Sequence, residues 1–562
     1  MQRSIGRRQQ TNGASNGVNG GNGHADKHGR HLELDALIVG AGFAGVYLLH
    51  RLRQEGYNVK IAEAGTGLGG IWHWNSYPGA RVDSQYPVYA YGIPEVYSTW
   101  AWSEQYPGEK ELKRYFQHVD DVLDISKDVL YEHRVVAAGF DPSIDKWRLV
   151  CENGTRITAR FFLGCLGFAA KRYFPDWPGL DDFKGYVCHS SFWPTEGVDM
   201  KGKRVAVIGT GATGIQIAQE AAKEAGHLTC FVRTPNICIP MQQGPVHPET
   251  AKKDLATMHG KLNVERYDNI AGFLYSSPTK GVFDDPPDVR EAVMEEAWRL
   301  GGFRLLFCYN DIITDQAAND VVYDFWARKR RAQMTNPEKR DILAPEIQPH
   351  AFGGKRPSLE QDYYAQMDKP HVTVVPVKQN PITRVTEKGI VTEDGTLHEV
   401  DIIALATGFD SVTGGLKDLE LTGLNGEVLA AKWRMGTYTY LGMTVANFPN
   451  FMFTYGPQSP TAYANGPSIV EKQDEWIVGV LNKMREEGKT RLNANEDAEQ
   501  EWKKTINTLH AMSLRDKVEG WYMGTNIPGK PREALNYAGG MPLYLKTINE
   551  VLDQELRGFT VT

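Results

Sequence analysis

The 562-residue chain is too long for one hydrophobic core and is expected to divide into roughly three or four folding units. With 41% apolar and 23% charged residues it has the composition of a globular protein, which excludes the disordered and fibrous classes. The net charge of −7, with both signs mixed along the chain, gives no basic stripe for nucleic acid, and no apolar run is long enough to span a membrane.

Residues 1–30 begin with scattered basic residues and continue in Gly, Asn, Ser and His, without the apolar core of a signal peptide. They read as a disordered tail, and the cytoplasm is the expected location, with organelle targeting through Arg3, Arg7 and Arg8 as the alternative. Ordered sequence starts with an apolar strand at 34–39, which runs into Gly40, Gly42 and Gly45 and then an amphipathic helix at 46–54. Glycines at this spacing permit a tight turn and bring a pyrophosphate to a helix N-terminus, where unpaired N–H groups favour negative charge. The next strand, 58–62, ends at Glu63, a carboxylate that suits a ribose diol and repels a 2′-phosphate. This first turn therefore suits the ADP half of FAD or NAD. Residues 161–167 read as a strand and glycine turn at a domain crossing.

The pattern returns at 204–208, followed by Gly209, Thr210, Gly211, Ala212, Thr213 and Gly214 and a helix at 215–224. Its second strand, 228–232, ends in Arg233 and Thr234, a cationic fork and a hydroxyl that suit the 2′-phosphate of NADP. Two such units in one chain imply hydride transfer from a nicotinamide to a flavin. A third apolar strand at 400–405 runs into Ala406, Thr407 and Gly408, a second crossing. The six cysteines include no CxxC pair, so neither disulfides nor a metal site is expected, and a pyridine nucleotide–disulfide reductase is disfavoured.

Two longer motifs go beyond a generic flavin reductase. One is Gly69, Gly70, Trp72, Tyr77, Pro78, Gly79 and Asp83; the other is Phe183, Gly185, His189 and Trp193, just before the second glycine turn. On these motifs the sequence, from about residue 34 to its end, resembles the class B flavoprotein monooxygenases of the Baeyer–Villiger type. The resemblance implies an α/β fold with two dinucleotide-binding, Rossmann-like domains. FAD is expected on 31–167 and 395–562, NADP on 168–245 and 345–394, with a helical insert at 246–344. It implies a reaction in which NADPH and O2 convert a small-molecule ketone to an ester or lactone through a C4a-peroxyflavin.

The same resemblance assigns residues. Arg356 is the implied catalytic arginine and Asp83 its orienting carboxylate; a guanidinium, which does not give up its proton, suits the anions of that chemistry. Gly70, Ile71, Trp72, Tyr89 and Val135 join the first turn on FAD. Gln216, Lys355 and Trp521 join the second turn on NADP, with Lys355 assisting Arg233 and Thr234 at the 2′-phosphate and Trp521 closing over the nucleotide. His189 and Trp193 act as a hinge. The segment 460–467 is expected near the substrate, and Gly466, where relatives commonly carry a larger side chain, enlarges the pocket. A flavin monooxygenase acting on nitrogen or sulfur is the alternative activity, a flavin-binding protein without activity the non-enzymatic one, and a monomer is one reading of an oligomeric state that the sequence leaves open.

Overall fold

The computed structural model describes residues 31–562, so the expected tail and its arginines lie outside the described residues. Two parallel-centred sheets carry the architecture. In the first, His31–Val39 lies between Val59–Ala62 and Arg156–Gly164, all parallel. Its first half alternates, with Leu34 buried between exposed Glu33 and Asp35, and its second half, Ala36 to Val39, is buried throughout. That change of pattern marks where both faces of the sheet become covered. The strand starts three residues before the expected position because Leu32 and Glu33 pair with Ile157 and Thr158.

Arg156–Gly164 divides its outer edge between two partners. Its N-terminal half closes an antiparallel meander with Lys146–Cys151 and Val135–Asp141, and its C-terminal half pairs in parallel with Phe451–Phe453. Trp147, Phe162 and Phe451 pack together beneath this junction, and the Trp147 indole N–H donates to the Pro449 carbonyl at 2.8 Å. The C-terminal part of the chain is thus tied to the first sheet.

The second sheet is five-stranded and parallel, in the order Val372–Pro376, His227–Val232, Arg204–Ile208, Ile402–Leu405 and Tyr186–His189. This corrects one expected boundary. The first unit was placed from residue 395 onward, but Ile402–Leu405 pairs on both sides within the second sheet, and Leu397–Glu399 pairs with Gly389–Thr392 in a small antiparallel sheet. Ile402–Leu405 is therefore a strand of the second sheet, and the crossing turn after it leaves from the end of that strand.

Both helices that follow the glycine turns begin earlier than their apolar periodicity suggests. They span Phe43–Gln54 and Ala212–Glu224, starting directly after Gly42 and Gly211, whose backbones are extended. Gly45 and Gly214 are consequently helical residues, needed for close packing rather than for turning. Between residues 246 and 344 the longer regular elements are helices, Pro248–Leu255, Pro287–Leu300, Gln316–Arg331 and Pro337–Leu343. The third of these is fastened to the second unit by the Trp326 indole donating to the Cys238 carbonyl at 2.7 Å and by a buried Arg330–Glu360 ion pair at 2.7 Å. All six cysteines are free thiols, and among the described residues no three His, Cys, Asp or Glu side chains form a metal-holding group. No described helix is long and apolar enough to cross a membrane.

Candidate active site

At the first turn Gly40 has φ of +108°, and a Cβ there would stand 2.4 Å from the Cys165 carbonyl oxygen. A Cβ on Gly45 would stand 1.9 Å from the Gly40 carbonyl oxygen, so any side chain would force the helix off the strand. Gly42 caps the helix without a side-chain hydrogen bond, and the first helical turn holds no acidic residue, which leaves an N-terminus suited to an anion. Gly70 lies backbone to backbone on this turn, with a Cβ position 2.9 Å from the Gly42 Cα, while the Gly69 N–H donates to the Ala41 carbonyl at 2.9 Å. Glu63 is buried and accepts from the N–H groups of Ala41 (2.8 Å) and Gly65 (2.6 Å), so its carboxylate is fixed beside the turn. The Trp72 indole donates to the Tyr89 hydroxyl at 3.0 Å, Ile71 is exposed next to Gly70, and Val135 packs in the cluster that holds Val39 and Ala62.

The second turn repeats this geometry. Gly209 has φ of +109°, a Cβ on it would stand 2.4 Å from the Ala406 carbonyl oxygen, and one on Gly214 would stand 2.1 Å from the Gly209 carbonyl oxygen. Gly211 caps the helix whose first turn contains Ala212 and Thr213 and no acid. Thr210 donates to the Thr234 carbonyl at 2.7 Å and so ties the turn to the end of the next strand. Arg233 is exposed and without an ion pair among the described residues. Thr234 and Lys355 line a cavity of about 270 Å³ together with His350, Lys378, Lys517 and Glu519. Burial, and then the charge of Arg233, pull the Lys355 ammonium down to about 8. Lys378 and Lys517 were missed in the sequence. In the structure Pro376 is the register partner of Val232, which places Lys378 one strand over from Thr234. Nothing in the sequence points to Lys517.

The motif from Gly69 to Asp83 joins the two turns. After Gly70 meets the first turn, the Tyr77 hydroxyl donates to Gln216 Oε1 at 3.0 Å, and Gln216 Nε2 donates to the Arg81 carbonyl at 3.0 Å. Gly79 approaches so closely that a Cβ there would stand 3.0 Å from the Gln216 carbonyl oxygen. Gln216, expected beside NADP, is thus engaged in holding the first unit against the second helix. The motif ends on Asp83, whose Oδ1 accepts from Arg356 Nη2 at 2.7 Å, while Oδ2 lies 2.7 Å from Nε, off the line of a hydrogen bond.

Arg356 stands over the rings of Phe303 (4.8 Å) and Phe273 (5.7 Å) from the helical region, and its backbone N–H donates to the Tyr522 hydroxyl at 3.1 Å. Burial alone would lower its pKa, but Asp83, with Tyr455 and Tyr522, outweighs burial and raises it, so the guanidinium stays charged. Trp521 stacks on Phe168 at 5.4 Å and on Tyr522 at 4.1 Å, and the adjoining Gly520 has a Cβ position 3.6 Å from Lys355 Cε. Gly466 opens the helix Gly466–Glu486, and a Cβ there would face the Tyr455 hydroxyl at 3.5 Å.

His189 is buried, accepts from the Ser191 N–H at Nδ1 (3.3 Å) and donates from Nε2 to the Gly408 carbonyl at 3.1 Å. Burial is the main cause that pulls it down to about 4, so it is neutral. It fastens the segment before the second turn to the crossing after Leu405. Gly185 is needed for space, since a Cβ would stand 2.3 Å from the Asp401 carbonyl oxygen and 2.5 Å from Phe183 Cζ; Phe183 and Trp193 are buried.

Residues 35–239 match the family described as flavin-binding monooxygenase-like. The chain is 42% identical to a cyclopentanone 1,2-monooxygenase of Comamonas, over 94% of this chain and 96% of that one. It is 35% identical to a phenazine N-monooxygenase of Lysobacter antibioticus, over 93% and 96%. The solved structure of an oxidised steroid monooxygenase bound to NADP superposes with a TM-score of 0.89 at 34% identity, covering 94% of this chain and 99% of that one. With its two glycine turns, the motif that joins them and relatives of this closeness over nearly its whole length, the chain belongs to the flavin-binding monooxygenases.

Proposed function

We propose that this enzyme takes up a ketone, O2 and NADPH with a proton, and releases an ester or lactone, NADP+ and water. The two anion-accepting turns fit FAD and NADPH. Gly40, Gly42, Gly45, Gly70 and Glu63 hold the first, with Ile71, Trp72, Tyr89 and Val135 around it; Thr210 to Gly214, Arg233, Thr234 and Lys355 hold the second, with Lys378 and Lys517 added. When bound, the reduced flavin supplies activation of O2. Residues 31–167 and 406–562 form the FAD unit, 168–245 and 345–405 the NADP unit, and 246–344 a helical insert in it.

The observation that carries the reading is the Asp83–Arg356 pair. The motif that packs on both turns ends at Asp83, and Asp83 aims a permanently charged guanidinium. Insertion of oxygen beside a carbonyl builds negative charge on the ketone oxygen, and a fixed cation that keeps its protons lowers that barrier. The name of the phenazine relative makes N-oxygenation the second reading. A soft nucleophile develops no such oxyanion, and Arg356 weighs against it. Trp521, stacked on Phe168 and Tyr522, excludes water from the bound nucleotide. His189 and Trp193 position the units and touch no reacting group. One chain contains every residue of the proposed site, which supports a monomer; the net charge of −7, with both signs mixed along the sequence, supports a cytoplasmic enzyme without nucleic-acid partners.

The test is Arg356→Ala. Reduction of the flavin by NADPH is expected to persist within about threefold, while ester formation falls by about 100-fold or more. Ester formation at the native rate would remove Arg356 from the chemistry.

A further inference from the structure

A tier of rings leads away from Arg356 and ends at a cation with no counter-ion. Tyr522, whose hydroxyl accepts from the Arg356 N–H at 3.1 Å, lies 5.6 Å from Tyr463 with the two rings 4° from parallel. The guanidinium carbon of Arg515 stands 4.2 Å from the centre of the Tyr463 ring. Arg515 Nε is sealed from solvent and has no hydrogen-bond partner, and among the described residues no carboxylate pairs with the guanidinium. Neighbouring Asp516 lies instead 3.8 Å from His510 Nδ1, and His510 Nε2 meets the Tyr463 hydroxyl at 3.1 Å.

Arg356, Tyr455, Tyr463 and Arg515 each keep some accessible surface. An enclosed guanidinium is costly unless an acceptor reaches it, and a carboxylate matches its fork of donors.

We infer that the substrate is a ketone carrying a carboxylate remote from its carbonyl, with Arg515 binding the carboxylate while Arg356 faces the carbonyl. This rests on the ketone-oxygenating reading above. Arg515 is a specificity residue, not a catalytic one.

The probes are 4-acetylbenzoate, 4-acetylphenylacetate and 3-(4-acetylphenyl)propanoate, each paired with its methyl ester and given to the FAD-loaded full chain with NADPH. The native enzyme is expected to convert at least one acid with kcat/KM about tenfold or more above its ester. Arg515→Gln brings that ratio to about one, and Arg515→Lys keeps part of it. The ratio is internal to each variant, so a general loss of activity does not move it, and flavin content checks folding. Equal use of acids and esters by the native enzyme, or an acid preference that survives Arg515→Gln, overturns the proposal while leaving ketone oxygenation standing. A change in NADPH dependence with no change in the ratio places Arg515 on the dinucleotide and also overturns it. NADPH oxidation with no ester from any probe, and none from simple ketones, removes both readings.

Discussion

Gly40 and Gly209 differ by one degree in φ, and each has a carbonyl oxygen 2.4 Å from where a Cβ would stand, that of Cys165 in one unit and of Ala406 in the other. The third glycines, Gly45 and Gly214, are likewise pinned by the carbonyls of the first. The units part only at the end of the next strand. There Glu63 is buried and fixed by two N–H groups, whereas Arg233 is exposed beside a cavity lined by three lysines. Backbone geometry thus makes both turns receptive to a pyrophosphate, and on the proposed reading the side chain one strand away selects the dinucleotide. The comparison also explains why Cys165 serves where the other unit has Ala406: the carbonyl makes the contact.

The largest effects break one turn and spare the other. Gly45→Ala puts a Cβ into a backbone carbonyl, where no flexible side chain can yield, at a cost of about 3 kcal/mol or more. It is expected to weaken FAD retention about 100-fold, read from flavin content after gel filtration. Gly214→Ala should keep the flavin but raise KM for NADPH by about as much; a colourless Gly214→Ala protein would contradict the separation of roles. Next in size, Arg233→Ala is expected to raise KM for NADPH about 10- to 100-fold in flavin reduction assays and to change NADH little. Equal weakening of both would show that Arg233 does not read the phosphate.

Lys355 gives a pH effect of definite sign. With its pKa at about 8, the ammonium proposed to bind the 2′-phosphate is present below that pH and lost above it. KM for NADPH should rise about tenfold from pH 7 to pH 9 while that for NADH stays flat. Because Arg233 contributes to the depression, Arg233→Ala should move the rise to higher pH. A profile that does not move would uncouple the two cations. The smallest effect is Glu63→Gln, which keeps one acceptor and loses the other; FAD affinity measured by titration of apoprotein should fall about fivefold.

Most of each unit was legible because its signal is local. Strand, glycines, helix and strand end lie within about 30 residues, and both Glu63 and Arg233 stand where the next strand stops. What was not legible depends on packing between distant segments. Gln216 is on the second helix, yet its partners Tyr77 and Arg81 are more than 130 residues earlier. Phe273 and Phe303, read only as aromatics of a helical region, flank Arg356, and the stack from Phe168 through Trp521 and Tyr522 to Tyr463 assembles from three separate stretches. The boundary at 395 failed for a related reason: a strand and a glycine turn do not say which of two sheets the strand has joined.

The measurement that tests the account most directly is mass analysis of products after the FAD-loaded protein is given NADPH, isotopically labelled O2 and a panel of linear, cyclic and aryl ketones with a thioether and an amine. The account predicts an ester or lactone carrying one labelled oxygen atom. Sulfoxide or N-oxide with no ester would contradict it.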